Sequence, residues 1–403
     1  MNSRRKFLNL VGASLLLQSC SEPHSSDRYS QADKDLLVKQ RAQENANSGA
    51  SAFGEHRYQG YKGLARLPWF ELDEQQQLVL IDESVPSTID VHCHVGMSLF
   101  LKPYINQFAL APRVKHLLDC DDGDNPCDLD LDVYVNSNFS DQALDELDSK
   151  LFSQGLFGHE DIRTQTMAGL VDEMDAMRVQ KGILLPIKLG LPFGDNMTQD
   201  WRDDVKAGSF QDRLLVGMSV KPTSSNALDE LKEHADKGFK VLKLHPTLQR
   251  FYPDDPRVMD LYSLAQELGI TIFFHGGRAG IEPLNRQGFA MPRHYEAAFK
   301  NFPKLNFVVG HAGARDSNAM LDLWRKYPNV YFGIHGQGLQ QLDKIIESTN
   351  VQRLLFGSDW PFYHIATTLA KVLIVTNSPQ RAMIRQDILQ GNAMRLFGAQ
   401  FDI

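Results

Sequence analysis

An α/β fold closed as a (β/α)8 barrel is predicted by three features of the chain from Ile89 onward. Short apolar runs alternate with amphipathic stretches, the runs number eight, and polar residues collect at their C-terminal ends. Each run is rich in Val, Ile, Leu and Phe, which suits strands buried on both faces of a parallel sheet. The rival is an open doubly wound sheet, but no Gly-rich dinucleotide turn follows the first run. An N-terminal extension and a long insertion after the first strand complete the expected layout.

The 403 residues carry a net charge of -8 and no basic patch, which argues against a nucleic-acid partner. No apolar run reaches about 18 residues, so no spanning helix is expected. Residues 1–20 read as an export signal: Arg4 and Arg5 in SRRKFLN, an apolar stretch to Leu17, then Gln18, Ser19 and Cys20. The paired arginines resemble a twin-arginine signal, and LLLQSC resembles a lipoprotein box with Cys20 as the lipidated residue, although Gln18 is not the usual small residue. The expectation is a periplasmic-face protein anchored to a membrane through lipid on Cys20. Residues 21–55 form a polar tether in which Gln31 to Ala46 could be helical. Residues 56–403 form the main domain, and the aromatics Tyr58, Tyr61, Trp69 and Phe70 of its lead-in are expected to pack on it.

The first strand lies in STIDVHCHVG, Ser87 to Gly96. Side chains alternate faces along a strand, so His92 and His94 point one way and Cys93 the other. Two imidazoles converging from one strand can grip a transition ion. The insertion, residues 97–161, contains CDDGDNPCDLDLD, with seven Asp between positions 119 and 132. It reads as a solvated acidic loop. Calcium is the alternative, although the spacing is not that of an EF-hand. Cys120 and Cys127 could form a disulfide in an oxidising compartment. The later runs are GILLPIKLG, LLVGMSV, FKVLKLHP, ITIFFHGG, LNFVVGHAG, VYFGIHG and RLLFGSDWP. Helices are expected over Ile162–Val179, Asn226–Lys237, Asp255–Leu268, Pro292–Asn301, Asn318–Tyr327 and Leu339–Ser348. Two more, His364–Val375 and Gln380–Phe397, end the chain.

Barrel enzymes build their sites at the C-terminal ends of the strands. Here those ends carry His92 and His94, Lys243 and His245, His275, His311, His335 and Asp359. Histidine is scarce, 13 in the chain, so five strands ending in it are hard to attribute to chance. The set VHCHVG, KLHP, FFHGG, VVGHAG and FGSDWP, followed by ILQGNAMRLF, resembles the amidohydrolase superfamily, in particular the amidohydrolase-2 branch of metal-dependent TIM-barrel hydrolases and decarboxylases related to aminocarboxymuconate-semialdehyde decarboxylase. The resemblance spans roughly Ile89 to Phe397. It implies that His92, His94, His275 and Asp359 bind one divalent ion, zinc or else manganese or another divalent metal. It implies that His311 is the catalytic histidine beside it, and it assigns nothing to His335.

Chemistry agrees with those implied roles. A bound ion lowers the pKa of water from about 15.7 towards 7, and Asp359 can accept the proton. His311 can polarise a carbonyl, where positive charge would favour an oxyanion. Lys243 can be a carbamylated bridge to a second metal, although one metal is preferred. His245 is a substrate contact or a partner of the ligands, and Arg278 faces the pocket to hold a substrate carboxylate or else lies on the surface. The expected function is metal-dependent hydrolysis of a small-molecule amide, ester or lactone. Non-oxidative decarboxylation of an unsaturated or aromatic acid is the alternative, and a non-catalytic surface scaffold is a third possibility from another class.

Overall fold

The structure is a computed structural model describing residues 28–96, 105–122, 126–147, 160–191, 195–348 and 350–401. Arg4, Arg5 and Cys20 lie outside the described residues. By backbone contacts the chain divides after Lys39, and the second unit, from Gln40, holds the barrel. No helix among the described residues is long and apolar enough to cross a membrane.

Eight parallel strands run in chain order: β1 Thr88–Cys93, β2 Val179–Leu184, β3 Leu214–Val216, β4 Val241–Leu244, β5 Thr271–Phe274, β6 Phe307–Val309, β7 Val330–Gly333 and β8 Leu354–Leu355. β1 to β3 form one sheet and β4 to β8 another. Single parallel bridges, Met218 with Leu242 and Cys93 with Trp360, join the two sheets at both edges and carry the strands round a ring. Between strands run α1 Met167–Ala176, α2 Met197–Ala207, α3 Ala227–Asp236, α4 Pro256–Glu267, α5 Glu296–Asn301, α6 Ser317–Lys326, α7 Leu339–Ser348 and, after β8, α8 Ile365–Val375.

Local chemistry sets these bounds. α1 starts where the Thr166 hydroxyl accepts from the Gly169 N–H at 2.9 Å. α4 starts at Asp255, with Pro256 at its first position. α7 buries Leu339, Leu342, Ile345 and Ile346, one apolar face at helical spacing. The sequence pattern did not reveal α2. Its buried face is only Met197, Thr198, Trp201 and Val205, thinly spread among acidic and basic residues. The C-terminal helix is also not one piece. Ala382–Gln386 passes into a π-turn at Asp387–Gly391 and then into Asn392–Phe401. From that last segment Ala393 and Phe397 join Ile89, Val91, Val241, Phe273 and Leu355 in an inner cluster.

The lead-in packs as expected: Tyr58, Tyr61, Trp69 and Phe70 are buried in the main apolar cluster. Arg57–Gln59 pairs antiparallel with Asp128–Asp130 of the insertion. Cys120 and Cys127 are joined as a disulfide, and Cys93 is a buried free thiol. Among the described residues the acidic stretch presents no ligand group. Instead Asp119 pairs with Arg113 at 2.7 Å, and Asp132 accepts from the backbone of Gly49 and Gln340.

One buried carboxylate ties α1 to the segment after β8. Glu173 accepts from His116 Nε2 at 3.1 Å, from Trp360 Nε1 at 3.1 Å and from the Ile365 N–H at 2.8 Å. Burial pushes its pKa up, but His364, His116 and these donors outweigh that and hold it down at about 2. A depressed carboxyl adds stability that is complete above its ordinary pKa near 4.5 and is lost as pH falls towards 2. Glu173→Gln should therefore cost on the order of 3 kcal/mol at neutral pH, with mutant and wild-type urea midpoints converging only as pH falls to about 2. A deficit independent of pH would contradict this account.

Candidate metal centre

The end of β1 is irregular. Its register with β2 shifts between Asp90 and Cys93, a bulge that re-aims the last side chains. His94 Nδ1 donates to the Leu185 carbonyl at 2.9 Å, which leaves Nε2 with its lone pair exposed to the site. Asp359 Oδ1 lies 3.4 Å from the Nε2 atoms of both His92 and His94. Bonds of about 2.0–2.2 Å meeting at a tetrahedral angle put ligand atoms roughly 3.4 Å apart, so these three buried groups fit a zinc-sized ion. Beneath them Asp90 Oδ1 accepts from the N–H groups of His92 and Ser358, both at 3.0 Å, and so joins β1 to the strand that delivers Asp359. Burial pushes the Asp90 carboxyl up to about 6 despite those bonds.

Asp359 also faces β6, where His311 Nε2 lies 3.8 Å from Oδ2. His311, His335 and Asp359 make a second buried group with ligand atoms in mutual reach. From sequence His335 reads as a structural or pocket-wall residue. Its ring packs 4.4 Å from that of His92 and 4.3 Å from that of His311. The available signal was its place at the end of β7, matching that of the other site histidines on their strands. The backbone here is strained: Asp359, His311, Ala312 and Ala314 all have φ between 46 and 63°, a region that β-carbon sterics disfavour.

His275 is placed differently from the expected ligand set. Its Nε2 meets Glu282 Oε1 at 3.0 Å, and its ring stacks on His245 at 4.0 Å and lies 4.9 Å from His311. Neither ligand group among the described residues includes it. Glu282 sits on the loop after β5 and also accepts from the N–H groups of Ala279 and Gly280, so it is fixed as a partner for that imidazole. The sequence offered no sign of it. His245 Nδ1 accepts from Leu248 N–H and contacts the Thr247 hydroxyl, capping a short helix. Lys243 Nζ lies 3.0 Å from His92 Nε2, where it competes with an ion for that lone pair.

The expectation for Arg278 is corrected. It is 0% exposed, and its guanidinium grips Asp316 through Nε at 2.8 Å and Nη2 at 2.5 Å, while its backbone N–H donates to Oδ2 at 3.0 Å. The Asp316 carboxylate takes two of the guanidinium's N–H groups in bidentate fashion, so Arg278 is a buried residue and not a surface one.

Burial lowers the pKa of His92, His94, His311 and His335, and neighbouring imidazoles or Lys243 add to the effect. A lowered pKa favours the neutral ring, the form in which imidazole binds metals. Burial pushes Lys243 down to about 7. Burial raises Asp359, yet His311, His94 and Lys243 bring it net below the usual carboxylate range. His92 Nδ1, His311 Nδ1 and both nitrogens of His335 are buried without hydrogen-bond partners.

The Arg278–Asp316 pair is testable apart from the chemistry. Asp316→Ala strands a buried guanidinium and should cost about 3–5 kcal/mol in urea unfolding. A stable variant whose only defect is a raised KM would show instead that Arg278 serves the substrate.

The chain matches the amidohydrolase family over residues 89–399. Among solved structures, an uncharacterised TIM-barrel protein from Bordetella bronchiseptica is 19% identical, covers 78% of this chain and 99% of its own, and has a TM-score of 0.55. The 5-carboxyvanillate decarboxylase of Sphingomonas paucimobilis is 15% identical, covering 76% and 99%, with a TM-score of 0.48. A probable 2-pyrone-4,6-dicarboxylic acid hydrolase from Acinetobacter baumannii is 14% identical, covering 78% and 100%, at 0.46. No curated protein matches the chain.

Proposed function

We propose a reaction for a chain that belongs to the amidohydrolase family: metal-dependent hydrolysis of an amide, ester or lactone bond in a small molecule. The observation that carries this reading is the buried Asp359 carboxylate seated within 3.8 Å of the imidazoles of His92, His94 and His311. A divalent ion, zinc by its ligand chemistry, would be held by His92, His94 and Asp359, and when bound it supplies Lewis acidity to the oxygens of water and substrate. Asp359 takes the proton of the attacking water and returns it to the leaving nitrogen or oxygen. His311, a neutral hydrogen-bond donor, faces the carbonyl oxygen as charge grows on it. Both groups stand on strained backbone segments, which hold them in one orientation.

Decarboxylation is the second reading, and Lys243 favours it. This buried lysine touches His92 and forms no ion pair among the described residues, so a substrate carboxylate can be its counter-charge. In that reaction the C–C electron pair stays on carbon, and His311 or Asp359 supplies the proton that replaces carbon dioxide.

A substrate panel of lactones, amides and aromatic acids, scored for acid release against carbon dioxide release, separates the two. Asp359→Asn should lower either activity by roughly 10²–10⁴-fold while the circular dichroism spectrum is kept. Full activity in that variant would remove Asp359 from the mechanism. Purified wild-type protein free of any divalent ion, and unable to take one up on dialysis, would contradict the metal reading.

We also propose export of the folded domain through the twin-arginine signal, with Cys20 lipidated at the periplasmic face. Replacing Arg4 and Arg5 together by Lys should leave the protein in the cytoplasm of an expressing cell. Normal export of that double variant would rule out this route.

A further inference from the structure

His335 is the group that the reading above leaves unused. It is 0% exposed and neither ring nitrogen has a hydrogen-bond partner among the described residues. Leaving a buried polar atom unsatisfied costs about 1–3 kcal/mol, so a ring kept only for packing would be better replaced by an apolar one. A structural imidazole in this barrel is handled otherwise: His116 Nε2 is bonded to the Glu173 carboxylate at 3.1 Å.

The surroundings are built to admit the ring. A Cβ on Gly357 would stand 2.8 Å from His335 Nδ1, and one on Gly333 would stand 3.3 Å from its Cε1. Neither glycine has a positive φ, so the need is for space and not for backbone freedom. Opposite the ring, His311 is presented by left-handed residues at the end of β6, and its carbonyl accepts from Gln337 Nε2. Its own Nδ1 is also without a partner.

We propose that His335, His311 and the Oδ2 side of Asp359 form a second divalent-cation position, with the Asp359 carboxylate bridging it to the position at His92 and His94. The inference rests on the metal-dependent reading above for the first position and adds the second, at which His311 gives a ring nitrogen to the ion in place of the donor role assigned to it there. Two imidazoles and a carboxylate select a first-row transition ion such as zinc, cobalt or manganese over calcium or magnesium. Lys243 is not a ligand in this arrangement and no carbamate is required. The bridge explains why both oxygens of one carboxylate face imidazoles.

The test is ion counting on full-length protein, stripped with chelator and then dialysed against manganese or zinc. Two ions per chain are expected in the wild type, one for each ligand group, and the manganese form should show a spin-coupled electron paramagnetic resonance signal. His335→Gln and His335→Asn should each hold one ion and show an uncoupled signal, with circular dichroism confirming the fold. One ion per chain in saturated wild-type protein overturns the second position and leaves the first intact. Two ions in the wild type and in both variants overturn the assignment to His335. No ion at all overturns the metal-dependent reading itself. The wild-type measurement stands even if both variants fail to fold.

Discussion

Asp359 is a negative charge inside a protein interior, 5% exposed, and the neighbourhood has to make that tolerable. Three imidazoles stand within 3.8 Å and the Lys243 amine at the next remove, and the net effect of these neighbours is a carboxyl held below its usual range despite burial. Burial in turn lowers the pKa of those imidazoles, and Nδ1 of His92 and of His311 has no hydrogen-bond partner among the described residues. One unpaired anion and a set of uncharged donors around it form a site whose electrostatics are incomplete without a cation.

The supporting structure serves that charge. Asp90 and Glu173 are themselves buried acids, placed one below and one beside the segment that carries Asp359. The first binds β1 to it through backbone N–H groups. The second anchors Trp360 and the start of α8 to α1. Glu282 and Asp316 restrain the loops after β5 and β6 in the same way, by fixing His275 and Arg278. Bonded buried polar groups hold a unique arrangement, and here Glu173, Glu282 and Asp316 flank the few that are not, while Asp90 Oδ2 is itself without a partner among the described residues. Glycines at 310, 333 and 357 supply the clearance that lets His92 and His335 approach one another.

The barrel was legible because its signal is periodic. Runs of Val, Ile, Leu and Phe with a polar residue at one end mark strands whatever lies between them, the disulfide followed from the close spacing of Cys120 and Cys127, and the buried lead-in from its aromatics. α2 was not legible, because Met197, Trp201 and Val205 are too few to dominate their polar neighbours. The break in the final helix left no periodic trace either.

Within the site, sequence alone determined which residues reach the C-terminal rim, since strand alternation puts His92 with His94 and Lys243 with His245. It could not determine what each side chain meets there. His275 meets a carboxylate seven residues on, Arg278 one thirty-eight residues on, and His335 finds none. Those partners come from loops whose conformation depends on tertiary packing, and a hydrogen bond across a barrel has no local signature in the chain. Which nitrogen is satisfied and which is left open to a ligand was therefore decided only when the ring of strands closed.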